Sequence, residues 1–282
     1  MNRRAFMYHI GAFAGGLTLG PLGFRAIQNA RPALALPGKT GVQLYTLRSL
    51  MSDVAGTLKQ VADIGYEYVE LAGYADLEPA EFKQILDDLG LTACSGHFGA
   101  RLFQEDADAV IEGAKTLGMT YVIVPSLGRQ QRSSIDGFKT AAAWFNEWGE
   151  KCKAAGLQFG YHNHSFEFEE IDGQLPYKIL LDETEPDLVK MQLDLCWIVN
   201  AGHDPLVYFE RDPGRYPLCH VKDLDAEKKM TDVGQGVIDF PRIFAKSEQA
   251  GLEYFIVEHD HPEDPIKSIE TAMAYLREVD GK

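Results

Sequence analysis

The sequence predicts a single (β/α)₈ barrel over residues 37–282, with a short leader, residues 1–35, outside the fold. Three observations point there. Short apolar runs alternate strictly with stretches of helical periodicity, and that alternation implies a parallel sheet. Eight such runs occur, which suits closure into a barrel of this length. No GxGxxG follows the first run, so a dinucleotide-binding doubly wound sheet loses its main support.

The elements follow in order. Residues 40–45 read as the opening strand, and residues 54–64 as the first helix. A phrase then recurs: a helix-like stretch ends in glycine, and an apolar residue and a β-branched or aromatic run follow. It stands at Gly65-Tyr66-Glu67-Tyr68-Val69-Glu70, Gly90-Leu91-Thr92-Ala93-Cys94 and Gly118-Met119-Thr120-Tyr121-Val122-Ile123. It returns at Gly156-Leu157-Gln158-Phe159 and at Gly251-Leu252-Glu253-Tyr254-Phe255-Ile256-Val257. Glycine suits the left-handed position just past a helix end, and runs this apolar suit strands buried on both faces. Residues 188–195 and 216–221 supply the remaining strands. Helical periodicity fills 80–89, 106–117, 138–155, 240–250 and 266–279.

Composition sets limits. At 282 residues and 45% hydrophobic, the chain can bury a large core without disulfides. Its four cysteines, Cys94, Cys152, Cys196 and Cys219, lack paired or zinc-type spacing, and three of them lie in runs that read as strands. The net charge is −15, and the first 35 residues hold four arginines and no acid, so the remainder stands at −19. That balance excludes a nucleic-acid binder, which needs basic patches, and disfavours anionic membranes.

In a (β/α)₈ barrel the active site lies at the C-terminal strand ends. The polar residues that close the runs are Gln43 and Tyr45, Glu70, His97, then Pro125-Ser126. Next come His162-Asn163-His164 with Glu167, then Asp194, then His220 with Lys222 and Asp223, and Glu258 with His259. A single Asp or His at a strand end is more often a cap than a ligand. Here, however, strands five to eight each end in one donor: His162, Asp194, His220 and Glu258. Two imidazoles and two carboxylates at one point suit one divalent ion, Mn²⁺ first, with Mg²⁺, Co²⁺, Fe²⁺ or Zn²⁺ as alternatives.

These residues resemble the sugar phosphate isomerase/epimerase family of xylose-isomerase-like barrels, whose superfamily also holds endonuclease IV-type repair enzymes. The likeness spans nearly all of residues 39–280. It rests on the segments Gly41-Val42-Gln43-Leu44-Tyr45, Val69-Glu70-Leu71, His162-Asn163-His164-Ser165-Phe166-Glu167, Asp194-Leu195-Cys196-Trp197, His220-Val221-Lys222-Asp223, Gly234-Gln235-Gly236 and Val257-Glu258. The resemblance implies one divalent metal on strands five to eight. It places Asp194, His220 and Glu258 on three ligand positions. Relatives often have Glu-Asn-His where this chain has His162-Asn163-His164, so either His162 replaces the glutamate or Glu167 reaches back; His162 is preferred. Repair enzymes carry a histidine three residues after the strand-six aspartate, where this chain has Trp197, and that branch is disfavoured.

The implied chemistry is proton removal beside a carbonyl, giving an enediolate of a ketose or sugar-like polyol. Glu258 is the expected base, with His162 and Lys222 as further catalytic residues. Glu70, His97, His164, Glu167 and Trp197 are expected to bind substrate. An isomerase or epimerase is the first reading. The missing strand-five glutamate raises a lyase, hydratase or hydrolase-type enzyme on 3-keto-glycosides as the alternative, and a non-catalytic periplasmic sugar-binding barrel is the alternative of another class. Relatives are often dimers or tetramers, which implies a homo-oligomer.

The leader resembles a twin-arginine export signal. Arg3-Arg4-Ala5-Phe6 precedes a glycine-rich, weakly hydrophobic stretch, and Ala33-Leu34-Ala35 offers a cleavage site. It implies a periplasmic or otherwise exported protein. The glycines disfavour a stable span, which leaves an uncleaved leader as the one route to the membrane.

Overall fold

A computed structural model describes residues 38–280. Eight parallel strands close into a barrel. They are β1 (Lys39–Gln43), β2 (Tyr68–Leu71), β3 (Thr92–His97), β4 (Tyr121–Val124), β5 (Gln158–His162), β6 (Val189–Asp194), β7 (Leu218–Val221) and β8 (Tyr254–Val257). Each pairs with its sequence neighbours, and β1 closes on β8 through Lys39↔Tyr254 to Val42↔Val257. The expected leader, residues 1–35, lies outside the described residues.

Helices pack outside this wall, and their caps are local. The helix α1 (Val54–Ile64) starts at Asp53, whose carboxylate accepts the Gly56 N–H, and stops at Gly65, whose φ of 101° a side chain would strain. Then follow α2 (Pro79–Asp88), α3 (Ala100–Leu117), α4 (Ile135–Ala154) and α5 (Pro176–Glu183). The short α6 (Leu195–Asn200) and α7 (Pro205–Arg211) follow β6 directly. After β7 come α8 (Phe240–Phe244) and α9 (Ser247–Ala250), and α10 (Pro265–Asp280) ends the described chain.

Side chains alternate across the wall with period two. The outward set, such as Val42, Val69, Val122, Phe159, Leu193 and Phe255, joins the helices in one large apolar cluster. A second cluster of Cys94, Tyr121, Ile123, Leu218, Tyr254 and Ile256 plugs the barrel interior, with Tyr68 against it. Toward the C-terminal ends come His97, three residues past Cys94, His220, two past Leu218, and Glu258, two past Ile256. The interior therefore changes from apolar to polar at the C-terminal strand ends.

Several expectations need correction. The first strand ends at Gln43, and Tyr45 lies in a 3₁₀ turn, Leu44–Leu50. The sixth strand stops at Asp194, so Leu195 and Cys196 are helical. The third helix starts at Ala100, with a non-helical break at Asp106, where the periodicity resumes. The stretch 240–250 is two helices, not one. An antiparallel hairpin, Asp223–Leu224 with Met230–Thr231, was not foreseen, nor were α5, α6 and α7. All four cysteines are buried and free, as expected. No helix among the described residues is long and apolar enough to cross a membrane.

Candidate metal centre and substrate cavity

His162 ends β5, Asp194 ends β6, His220 lies in β7 and Glu258 follows β8. In-register pairing sets Asp194 beside His220. One donor atom from each of the four lies within 4.8 Å of those of the others, and all four residues are buried. His162 Nε2 is 3.3 Å from Asp194 Oδ2, and His220 Nδ1 is 2.8 Å from Glu258 Oε2.

The far nitrogen of each imidazole is committed elsewhere. His162 Nδ1 donates to the Pro125 carbonyl at 3.0 Å, and His220 Nε2 donates to Glu70 Oε1 at 2.6 Å. Each ring thus turns its other nitrogen toward the carboxylates, where it would offer a lone pair to a bound cation. Oriented imidazoles with outer oxygen partners and two anionic oxygens are the donor chemistry of a divalent metal site. The residues fit the ion the sequence implies. Asp194 is held twice: Oδ2 faces the group, while Oδ1 accepts the Trp197 N–H at 2.8 Å and caps α6.

Lys222 closes the group on one side. Its ammonium lies 2.9 Å from Asp194, 2.5 Å from Glu258 and 3.0 Å from Asp260. Burial alone would discharge it, but these three carboxylates hold its pKa well above the ordinary lysine range. Burial likewise pushes Asp194 and Glu258 up, and the facing Lys222 and imidazoles pull both carboxyls below their usual range. His162 is lowered by burial and by its neighbour His220.

A cavity of about 400 Å³ opens onto this group, lined among others by Tyr45, His97, His164, Trp197, Lys222 and Glu258. The size lies within the range of small-molecule sites.

A family model described as xylose isomerase-like TIM barrel matches residues 58–279. The chain belongs to that family. An inosose dehydratase of Lacticaseibacillus casei is 25% identical over 243 residues, covering 72% of this chain and 80% of that one. A sugar phosphate isomerase/epimerase from Parabacteroides distasonis superposes with a TM-score of 0.73 at 29% identity, covering 87% of this chain and 95% of that one. The IOLI protein, whose crystal structure is described as having a zinc atom bound, superposes with a TM-score of 0.70 at 17% identity, over 86% and 98%. That third likeness is one of fold.

Within this xylose isomerase-like barrel the expected site residues divide. His162, Asp194, His220, Glu258 and Lys222 come together, and His97, His164 and Trp197 line the same cavity. Burial, then the nearby His162, lowers His164 to about 3, so it is uncharged at neutral pH. Trp197 packs its ring against His164, with the Lys222 ammonium 5.4 Å from the ring centre.

Two expected substrate binders do not reach the cavity. Glu70 is fully buried beneath it and binds protein groups with both oxygens. Glu167 is also fully buried; Tyr161 donates to one oxygen at 2.6 Å and the His164 N–H to the other at 2.8 Å. Of the two strand-five alternatives, His162 faces the ligand group and Glu167 does not. Asp260 and His261 line the cavity and were missed. The acidic and imidazole-rich run after strand eight, Glu258-His259-Asp260-His261, was the available signal.

Proposed function

We propose that this chain is a metal-dependent lyase that removes water from an uncharged cyclic keto-polyol. It would take the proton beside the carbonyl and expel a hydroxyl from the next carbon. One observation carries this reading: a potential proton acceptor, His97, and a charged donor, Lys222, line the same cavity as His162 and Glu258 of the four-donor group.

His97 has its Nε2–H committed to Gln192 at 2.7 Å and to Glu70 at 3.1 Å, which leaves Nδ1 as the nitrogen that can accept a proton. Glu258 is less suited to be the base than the sequence implied. Its Oε2 is engaged by Lys222 and His220, which hold the carboxyl below its ordinary range against the upward push of burial. A ligand role fits it better. Lys222 stays charged and can give a proton to a departing hydroxyl. A divalent ion held by His162, Asp194, His220 and Glu258 would supply Lewis-acid polarisation of the substrate carbonyl.

The step balances. The C–H pair becomes the new C=C bond, the C–O bond on the next carbon breaks, and the Lys222 proton completes the water. His97 keeps the abstracted proton until solvent removes it. Phosphorylated substrates are disfavoured, because the lysine lining the cavity is already bound by three carboxylates.

The relation to an inosose dehydratase supports elimination. Isomerisation or epimerisation shares the first proton transfer and is supported by the likeness to an isomerase/epimerase. Epimerisation needs a second acid–base group on the other face, and strand five offers His162, both of whose nitrogens are engaged. We place the enzyme outside the cytoplasm on the strength of the leader; N-terminal sequencing of exported protein tests this.

Incubation of the Mn²⁺-loaded enzyme with keto-cyclitols and 3-keto sugars in D₂O tests the reaction. The expected result is loss of one water, which His97→Gln abolishes together with deuterium exchange. Exchange without water loss returns the epimerase reading. Neither outcome with any keto-polyol contradicts both.

A further inference from the structure

Five donors converge on the Glu70 carboxylate from four other strands of the barrel. Gln43 of β1 donates to Oε1 at 2.7 Å, His220 of β7 at 2.6 Å and His97 of β3 at 3.1 Å. Ser95 of β3 donates to Oε2 at 2.6 Å, and so does Gln192 of β6 at 2.6 Å. Glu70, Gln43, Ser95, Gln192 and His220 are all fully buried.

The network fixes its own proton positions. The Tyr45 N–H donates to Gln43 Oε1 at 2.9 Å, so the amide NH₂ of Gln43 must face Glu70. Gln192 likewise turns its NH₂ to Glu70 and its Oε1 to His97 Nε2, which must then carry a proton. A carboxylate only accepts, so His220 Nε2 must also carry one. In each ring Nδ1 is therefore the nitrogen that can offer a lone pair, for His220 once a bound cation displaces the proton that its 2.8 Å contact with Glu258 requires. For His220 that is the atom facing Glu258 and Asp194.

We propose that Glu70 is the positioning residue of the metal centre, holding His220 from across the barrel in the tautomer that ligates through Nδ1, and His97 in the tautomer that accepts through Nδ1. The His97 half rests on the functional reading above; the His220 half rests on the donor geometry alone. A glutamine at position 70 would turn an NH₂ toward either the three donors at Oε1 or the two at Oε2 and break the set.

Outer partners of ligating histidines typically contribute 10–100-fold in metal affinity. Zn²⁺ titration of the metal-free full chain against a competing chelator should show Glu70→Gln weakened by about that factor. Ser95→Ala, which removes one bond to Glu70 without touching His220, should stay near the wild-type affinity. Folded Glu70→Gln with wild-type affinity overturns the proposal, and so does Ser95→Ala weakened as much as Glu70→Gln. Imidazole ¹⁵N spectra of the Zn²⁺-loaded wild type decide the matter without any variant. His220 and His97 should each be protonated on Nε2, and a proton on Nδ1 of His220 overturns the assignment. Wild-type protein that binds no measurable Zn²⁺ overturns it together with the metal centre. Failure of every keto-polyol to react would refute the lyase reading while leaving the affinity and tautomer results to stand.

Discussion

The Lys222 ammonium lies 2.5 Å from Glu258 Oε2, an oxygen that also faces His220 Nδ1. The lysine and a bound cation therefore neutralise the same carboxylates. Removing one partner of a buried charge set costs about 3–5 kcal/mol, because the remaining charges stay desolvated. In metal-free protein, Lys222→Met should lower the midpoint of thermal unfolding by on the order of 10 °C. Divalent metal should restore much of that loss, so the variant gains more from added Mn²⁺ than the wild type does. Scanning calorimetry of both proteins with and without metal checks this, and equal gains would contradict it.

Glu167 makes stability depend on pH. Burial, partly offset by the Tyr161 hydroxyl and the His164 N–H, raises its carboxyl from 4.5 to about 7. A carboxyl raised on folding stabilises the native state below its unfolded pKa, and that contribution is lost as pH rises through the folded value. From pH 4.5 to 7 the loss is about 3 kcal/mol. Urea unfolding across this range should show the decline, and Glu167→Gln should flatten it. An unchanged slope in the variant refutes the account of this residue.

The loop after Lys222 hangs on Asp223. Its carboxylate accepts four backbone N–H groups, from Leu224, Gly234, Gly236 and Ile238, at 2.9–3.2 Å. A Cβ at Gly236 would meet Asp223 Oδ1 and the Leu224 carbonyl, each at 2.3 Å. Gly236→Ala should thus cost about 1–3 kcal/mol through overpacking. Denaturant midpoints measure it; a wild-type midpoint would mean that the loop yields freely.

What could be read in the sequence followed local rules. Period-two alternation, apolar runs and cap glycines such as Gly65 and Gly118 depend on near neighbours, so strand ends, and with them His162, Asp194, His220 and Glu258, were visible. Glu70 shows the opposite case. Its role depends on His220, 150 residues away, and on Gln192, 122 away, and no local pattern encodes a contact across a barrel. Glu167 follows a strand end by only a few residues, yet the turn at Phe166–Phe168 folds its carboxylate back onto Tyr161. Helices as short as Leu195–Asn200 span too few turns to show periodicity. Tyr45 left the strand because the Gln43 side chain accepts its N–H and starts a 3₁₀ turn.

Metal content tests the central claim most directly, with Asp194→Asn as the comparison. Asparagine can keep the α6 cap to the Trp197 N–H while removing the charge at Oδ2, so the fold should persist. After loading with Mn²⁺ or Zn²⁺ and dialysis, elemental analysis should find about one ion per wild-type chain and almost none in the variant. Equally low metal in both proteins, or equal retention by both, would contradict a centre built from His162, Asp194, His220 and Glu258.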